Sequence, residues 1–293
     1  MRVIITARQA LTPSYVTVLN HLTKILAEIS KNPSNPKFNH FTFESISALV
    51  RFVTAGNVST LPEFENALFP PFHAILQQDV SEFTPFVFQI LSQLLELHPA
   101  GELPDSYQVL LPPLLTPTLW ESRGNIPALV RLLRAFLSRG AASIVANNQL
   151  TPMLGVFQHL LQSRTNDMYG FELLEALFEF VPLPVMKQYM STPIFMLMLT
   201  RLQTNKTDKF IQGTLKFICF AAAIHKDGLD ADGVVAMLDG CQPQPGLFGQ
   251  VLPVLLAEVQ KAPTKDRKLI AVGLSNLVSR SESLLTGPNV RAW

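Results

Sequence analysis

The strongest constraint in this sequence is a pattern that returns roughly every 42 residues, a period found in several classes of repeat protein. Small polar residues suited to helix starts precede apolar runs at Asn39, Ser81, Asn125, Asn166, Asp208 and Asp266. Prolines recur at Pro71, Pro113, Pro152, Pro193 and Pro253. In both sets the intervals are nearly equal, except that the last is clearly longer. Because two independent sets of markers share one period and one late gap, the chain is expected to be a stack of similar units.

Within each period the apolar residues follow helical spacing. Leu129, Val130, Leu133, Phe136 and Leu137 fall on one face of a helix, as positions i, i+1, i+4, i+7 and i+8 do. The sequence has no series of alternating apolar and polar runs joined by Asn-Gly or Asp-Gly turns, as a β-sheet protein would. The pattern predicts an all-α chain.

A period of this length with two helices per unit is typical of HEAT or armadillo repeats. A single helix pair cannot bury its apolar face alone, so the pairs stack on their neighbours. We therefore predict an α-solenoid of about six HEAT-type helix pairs, a right-handed superhelical array that runs through 1–293. The approximate repeats are 11–55, 60–98, 104–139, 142–181, 183–225 and 243–280, with an insertion near 227–245.

The recurring prolines support the helix-pair interpretation. A proline inside a helix removes a backbone hydrogen bond and bends the helix, whereas one in the first turn is tolerated. Pro152 and Pro193 each follow a threonine and are expected in first turns. The alternative, that each proline marks a loop, is disfavoured because five of them share one register.

The composition excludes several classes of protein. Hydrophobic residues make up 48% of the chain, which argues against intrinsic disorder. The 23 basic and 22 acidic residues give a net charge of +1, without the basic excess of a nucleic-acid binder. The longest apolar run, 217–224, is too short for a membrane span. Two cysteines cannot form a disulfide framework, and we expect an intracellular protein that binds neither nucleic acid nor membrane.

The sequence offers no arrangement of residues suited to catalysis. The six histidines are scattered without metal-ligand spacing, and no nucleophile elbow or phosphate loop occurs. Asp227, Asp230 and Asp232 superficially suggest calcium, but a calcium loop that starts at Asp230 would need an oxygen ligand where Val234 stands. We expect no catalytic residue, no metal and no cofactor. The chain is predicted to act by binding, not as an enzyme.

The candidate binding residues are charged residues on the second helices of two neighbouring units. This set, the polar stripe, comprises Arg131, Arg134, Glu172, Glu175 and Glu179. A repeat offset of about 41 residues would place Arg131 beside Glu172 and Arg134 beside Glu175. The stripe could therefore contact a partner protein, since second helices usually line the concave face of HEAT arrays. It could also be a ladder of ion pairs between repeats, and the two roles are compatible.

Several longer stretches go beyond a generic HEAT pattern. They are NPSNPKFNHFTFESISALVRF (32–52), LPPLLTPTLWESRGNIPALVRLLRAFLSRG (111–140) and LFGQVLPVLLAEVQK (247–261). These segments closely resemble the importin-α re-exporters, the exportin-2 or CAS exportin family of the importin-β superfamily. The resemblance runs through nearly all of the chain and covers the carboxyl-terminal third of such a protein.

The resemblance implies a nuclear export receptor that carries importin-α from nucleus to cytoplasm in complex with Ran-GTP. It also implies that the main Ran contact lies in amino-terminal repeats outside this sequence. A chain of this kind shuttles between nucleus and cytoplasm, and we expect these 293 residues to be monomeric. The alternative is a static HEAT-repeat scaffold that assembles another protein complex.

Overall fold

A computed structural model describes residues 1–224, 226, 228–241 and 246–290, and within these the side chains of 191–193 are excluded. The described residues form helices joined by turns, with a single isolated β-bridge between Lys226 and Leu229. This confirms the all-α prediction. The chain divides into two compact units, Met1–Leu114 with Thr118–Arg139, and Leu115–Pro117 with Gly140–Trp293.

The first unit is built from long helices and short helical turns. Its helices are α1 (Arg2–Ala7), α2 (Tyr15–Lys31), α3 (Pro36–Gly56), α4 (Leu61–Gln77), α5 (Thr84–Leu95), α6 (Asp105–Gln108), α7 (Leu111–Leu114) and the first part of α8 (Ile126–Ala146). Short 3-10 segments occur at Arg8–Ser14 and Val58–Thr60, and a further one follows at Pro117–Trp120. Helix α8 is broken at Gly140, whose φ of −142° and ψ of 34° are not helical, and the first unit ends one residue earlier.

The second unit continues the same pattern of helices. It contains α9 (Leu150–Gln162), α10 (Asp167–Phe180), α11 (Leu183–Tyr189), α12 (Leu197–Thr204), α13 (Asp208–Ala223), α14 (Ala231–Asp239), α15 (Leu247–Leu256), α16 (Arg267–Arg280) and α17 (Glu282–Leu285). A π-helical segment, Met190–Met196, joins α11 to α12, and a 3-10 turn, Val259–Lys261, follows α15. Helix α14 lies within the predicted insertion, whose ends Asp227 and Pro245 fall outside the described residues, as does His225. The repeat boundaries and the continuity of one array stay predictions.

The predicted helix starts are right for some repeats and displaced in others. Asn166 and Asp266 directly precede α10 and α16, and Asn125 precedes α8. The prediction for Asn39 is wrong, because Asn35 caps α3 by accepting a hydrogen bond from the Phe38 backbone N–H. Asn35 is followed by proline at the first helical position, where a missing N–H costs nothing.

Two further starts are displaced by smaller amounts. Ser81 lies in the turn before α5, whose N-cap is Phe83. Asp208 is the first residue of α13, and Thr207 is its cap, with the hydroxyl accepting from the Phe210 N–H. Helix starts read from sequence are accurate only to a few residues, since several polar residues in a turn can serve as the cap.

Four of the five recurring prolines lie where the helix-pair interpretation expects them, and the prediction of a first turn at Pro193 is wrong, because α11 runs into the π-helical segment before it. Pro71 lies inside α4 and Pro253 inside α15, while Pro113 lies in the short α7. Pro152 is in the first turn of α9, as predicted. Pro193 falls in the π-helical segment Met190–Met196, and its side chain is among those not described.

In the second unit the second helices of successive pairs pack closely on one another. Phe178 of α10 meets Phe217 of α13 edge to face, with ring centroids 4.9 Å apart. Gly273 of α16 lies so close to α13 that a Cβ there would be 2.3 Å from the carbonyl oxygen of Cys219. The contact is with backbone, which cannot move aside as a flexible side chain can. Glycine is therefore required at this crossing of α13 and α16.

We expect Gly273→Ala to lower the free energy of unfolding by about 1–3 kcal/mol, because the added methyl group overpacks the crossing. Gly155→Ala is the matched control, since Gly155 lies inside α9 with no heavy atom near its would-be Cβ. Alanine there should stabilise the chain by about 0.5–1 kcal/mol through helix propensity. Urea titrations of both variants measure the two effects. A stabilising Gly273→Ala would contradict the packing argument.

Candidate partner-binding face

The polar stripe is divided between the two units. Arg131 and Arg134 lie on α8 in the first unit, and Glu172, Glu175 and Glu179 lie on α10 in the second. The arginines and Glu172 are exposed, Glu179 is half-buried and Glu175 is buried. Residues three or four apart on a helix share a face, so each set forms a row on its own helix.

Arg131 pairs with a residue outside the polar stripe. Its Nε and Nη2 atoms donate to the two carboxylate oxygens of Glu96, at 3.0 and 2.8 Å. This two-pronged bond raises the pKa of Arg131 above its ordinary value and keeps the guanidinium charged. The partner predicted from the repeat offset was Glu172. The observed partner lies 35 residues before Arg131, at the end of the preceding pair.

Glu175 takes part in an ion pair between successive helix pairs of the second unit. The Nζ atom of Lys216, on α13, lies 3.0 Å from Glu175 Oε1 and 3.9 Å from Asp266 Oδ1. Lys216 thus contacts acidic residues on both sides of its own helix, and the Glu175 contact has a separation of 41 residues, close to the repeat period. The pairing of Arg134 with Glu175 stays a prediction, and so does a partner-binding role for the polar stripe.

A polar cleft lies beside Arg131 in the first unit. Its volume is about 410 Å³, and it lies between α3, α5 and α8. Its lining residues are Ser47, Arg51, Thr54, Ala55, Gln93, Glu96, Leu97 and Arg131. Arg51 is exposed and forms no ion pair among the described residues. The cleft therefore presents the Arg51 guanidinium to solvent beside the Arg131–Glu96 pair.

The floor of the cleft is fixed by side-chain hydrogen bonds between α3 and α5. The Ser47 hydroxyl donates to Gln93 Oε1 at 2.8 Å, and Gln93 Nε2 donates back to the Ser47 carbonyl at 3.0 Å. Ser47, Gln93 and Glu96 were not predicted from the sequence, because only charges on two helices were considered there. A signal was present, since Ser47 and Gln93 are 46 residues apart, close to the repeat period.

Other reactive side chains are used in packing. Cys219 is fully buried on α13, and burial raises its thiol pKa to about 12. Such a thiol is not ionised at neutral pH and is a poor nucleophile. Lys226 donates to the Phe178 and Val181 carbonyls at the end of α10, and burial lowers its pKa. Both groups stabilise the fold where they lie.

Neither a metal-binding cluster nor a membrane-spanning helix is found in the described part of the chain. No cluster of three or more histidine, cysteine or acidic side chains there could hold a metal ion. None of the helices described combines the length and apolar character that crossing a bilayer requires. Among several surface pockets of the described residues, the cleft at Arg51 and Arg131 combines exposed charge with a hydrogen-bonded floor, which suits it to binding.

Comparison with known proteins decides the family. A family model described as CAS/CSE protein, C-terminus, matches residues 1–293. The chain belongs to the CAS/CSE family. The importin-alpha re-exporter of Schizosaccharomyces pombe is 43% identical over 95% of the chain, and exportin-2 of Homo sapiens is 41% identical over 98%. The exportin Cse1 in its cargo-free, cytoplasmic state covers 98% of the chain, with 30% identity and a TM-score of 0.88.

The matching region is a limited part of each CAS/CSE relative. The chain spans 29% of the length of the S. pombe and human proteins and 30% of the Cse1 chain. The fold similarity to Cse1 confirms the α-solenoid class for this region. The polar cleft and the Glu175–Lys216 pair are thus features of an α-solenoid from the carboxyl-terminal region of a CAS/CSE protein.

Proposed function

We propose that this chain is the carboxyl-terminal, non-catalytic binding region of a nuclear export receptor that carries importin-α to the cytoplasm together with Ran-GTP. Such a receptor shuttles between nucleus and cytoplasm. The observation that carries the proposal is the match of the whole chain to the CAS/CSE carboxyl-terminal model, with relatives named importin-alpha re-exporter and exportin-2. These names do not favour the static scaffold.

The polar cleft supports a binding role for the first unit. Arg51 offers an exposed guanidinium, and Arg131 is held beside it by Glu96. Guanidinium groups suit protein interfaces because their planar donors match carboxylates and backbone carbonyls. The Ser47–Gln93 bonds hold the floor in one arrangement, so a partner need not order it on binding. A carboxylate of a partner protein would complete the cleft.

The test is a pull-down of the intact exporter that contains this chain on immobilised importin-α. We expect retention with GTP-loaded Ran and loss of retention with GDP-loaded Ran. Arg51→Glu should lower retention, because it places a carboxylate beside Glu96 in the cleft. Arg2→Glu, on the exposed surface of α1 outside the cleft, is the matched control and should leave retention unchanged. Equal retention with both forms of Ran would contradict the proposal.

A further inference from the structure

In the second unit, the turns that lead into the second helix of each pair lie side by side. The first turn precedes α10, the second precedes α13 and the third precedes α16. Arg164 Nε in the first donates to Asn205 Oδ1 in the second at 3.0 Å. Gln212 Nε2, near the second turn, donates to Glu258 Oε2, near the third, at 3.1 Å. These contacts join the three turns into one edge.

Exposed cations are concentrated on this edge. We name it the basic edge, and we define it by the exposed cations Arg164, Lys206, Lys209, Lys265, Arg267 and Lys268; Lys261 is also exposed there but is paired with Glu258. The whole chain has a net charge of only +1, so this concentration is local. A row of one sign raises the local concentration of oppositely charged groups and attracts them from solution.

The acidic side chains of the same turns are mostly withdrawn from solvent. Asp167 is buried against Arg201, with Arg201 Nη2 2.9 Å from its carboxylate. Glu258 is buried and accepts from Gln212 and from Lys261. Asp266 is buried as well. Among the described residues of these turns, the exposed carboxylate is that of Asp208. The cations of the basic edge are therefore left largely uncompensated.

Several of these cations occupy positions that helix stability disfavours. Lys209 is the second residue of α13, and Arg267 and Lys268 are the first two residues of α16. The first turn of a helix carries the positive end of its dipole, so a cation there weakens the helix. Helix α16 has no acidic residue in its first turn, and the carboxylate of its N-cap, Asp266, is buried and lies 3.9 Å from Lys216 Nζ. Natural proteins place residues that disfavour helix stability mainly at functional sites. The cations at the starts of α13 and α16 therefore indicate a binding role for this edge.

We propose that the basic edge docks an acidic, extended segment of a partner protein. Packed helices lie about 8–10 Å apart, so successive turns present cations at about that spacing. A polyproline-II segment has three residues per turn and rises about 3.1 Å per residue, which places every third side chain about 9 Å further along one face. Carboxylates at every third position would meet successive turns of the edge.

A protein segment fits the basic edge better than a nucleic acid. Proteins that hold single-stranded nucleic acid combine cations with exposed aromatic rings on which bases stack. Among the described residues, the exposed large aromatic side chains are Phe38 and Phe41, which lie in the first unit. The proposal does not depend on the export function or on the polar cleft, since all residues of the basic edge lie in the second unit.

The test uses a fluorescein-labelled 12-residue peptide with glutamate at every third position, followed by fluorescence anisotropy at about 50 mM salt. The chain should bind the peptide, and the variant K209E/R267E/K268E should bind it at least about tenfold more weakly. The thermal midpoint of this variant should not fall, because acidic residues in a first helical turn are favourable. The variant R2E/K24E/K37E carries the same change in charge on the first unit and should retain binding.

Four outcomes would overturn the proposal. They are no binding of the peptide by the unaltered chain, equal binding by K209E/R267E/K268E, an equal loss in R2E/K24E/K37E, and tighter binding of a single-stranded oligonucleotide than of the peptide. The third would show an effect of net charge alone, and the fourth would assign the edge to nucleic acid. None of these results bears on retention by importin-α with Ran-GTP.

Discussion

Replacing Arg201 with methionine is expected to destabilise the chain by about 3–5 kcal/mol, because it leaves the Asp167 carboxylate buried without its cation. The exposed fraction is 6% for Arg201 and 1% for Asp167. The Arg201 guanidinium also lies 4.6 Å from the centre of the Phe210 ring, so the cation is enclosed by protein on several sides. Urea titration at neutral pH measures the loss.

The buried Asp167–Arg201 pair adds little net stability, because the cost of desolvating the carboxylate offsets its attraction to the guanidinium. Burial raises the pKa of Asp167 above its ordinary value of 3.8 even though the bond to Arg201 acts to lower it. Desolvation of this carboxylate thus outweighs the attraction. The double variant Asp167→Asn/Arg201→Met removes both charges and should recover most of the stability lost in Arg201→Met. If the double variant is as unstable as the single one, packing of the arginine and not the lone charge sets the cost.

The pH dependence of Arg201→Met follows from the same pKa shift. A carboxyl whose folded-state pKa is raised binds more protons folded than unfolded, so its contribution to stability is lost as pH rises through the folded value. Without the cation, the raised pKa of Asp167 is expected to rise further. The deficit of Arg201→Met relative to the unaltered chain should therefore be smaller at about pH 4.5 than at about pH 7. A deficit that grows toward acid would contradict this account.

Under the proposed function, the isolated chain is expected to bind importin-α about 10² to 10⁴ times more weakly than the intact exporter does in the presence of Ran-GTP. The chain spans 29% of the length of its re-exporter relatives, so contacts elsewhere in a longer receptor are missing. Contacts linked in one molecule raise the effective concentration of each other, and this advantage is lost when the receptor is divided. A net charge of +1 offers little long-range attraction in its place.

Calorimetry of importin-α with the isolated chain and with the intact exporter, each with and without GTP-loaded Ran, measures this ratio. The intact exporter carrying Arg51→Glu and Arg131→Glu is the informative comparison, because both side chains line the polar cleft. The affinity of this variant for importin-α should lie between that of the isolated chain and that of the unaltered exporter. Tight binding by the isolated chain without Ran would place the whole cargo site within these residues and would contradict a site distributed along the receptor.

Much of the architecture follows from local pattern. The all-α class follows from apolar residues at helical spacing, which each segment carries in its own sequence. The family resemblance rests on continuous stretches such as 32–52 and 111–140, and the CAS/CSE model matches the whole chain. Helix starts were predicted less well, since Asn39 lies inside α3 and Asn35 caps it. In turns with several polar residues the sequence offers more than one cap.

The sequence by itself determined that the chain is helical, repetitive and related to the exportins, because these properties depend on neighbours along the chain. Only the tertiary structure decided which charges meet. Arg131 bonds Glu96 at a separation of 35 residues, whereas Lys216 bonds Glu175 at 41 and Gln93 bonds Ser47 at 46. Turn lengths vary from pair to pair, and a long side chain reaches across a full helical turn. Within a unit, a constant repeat offset therefore identifies adjacent helices, but the packing of each pair selects the partner of each side chain.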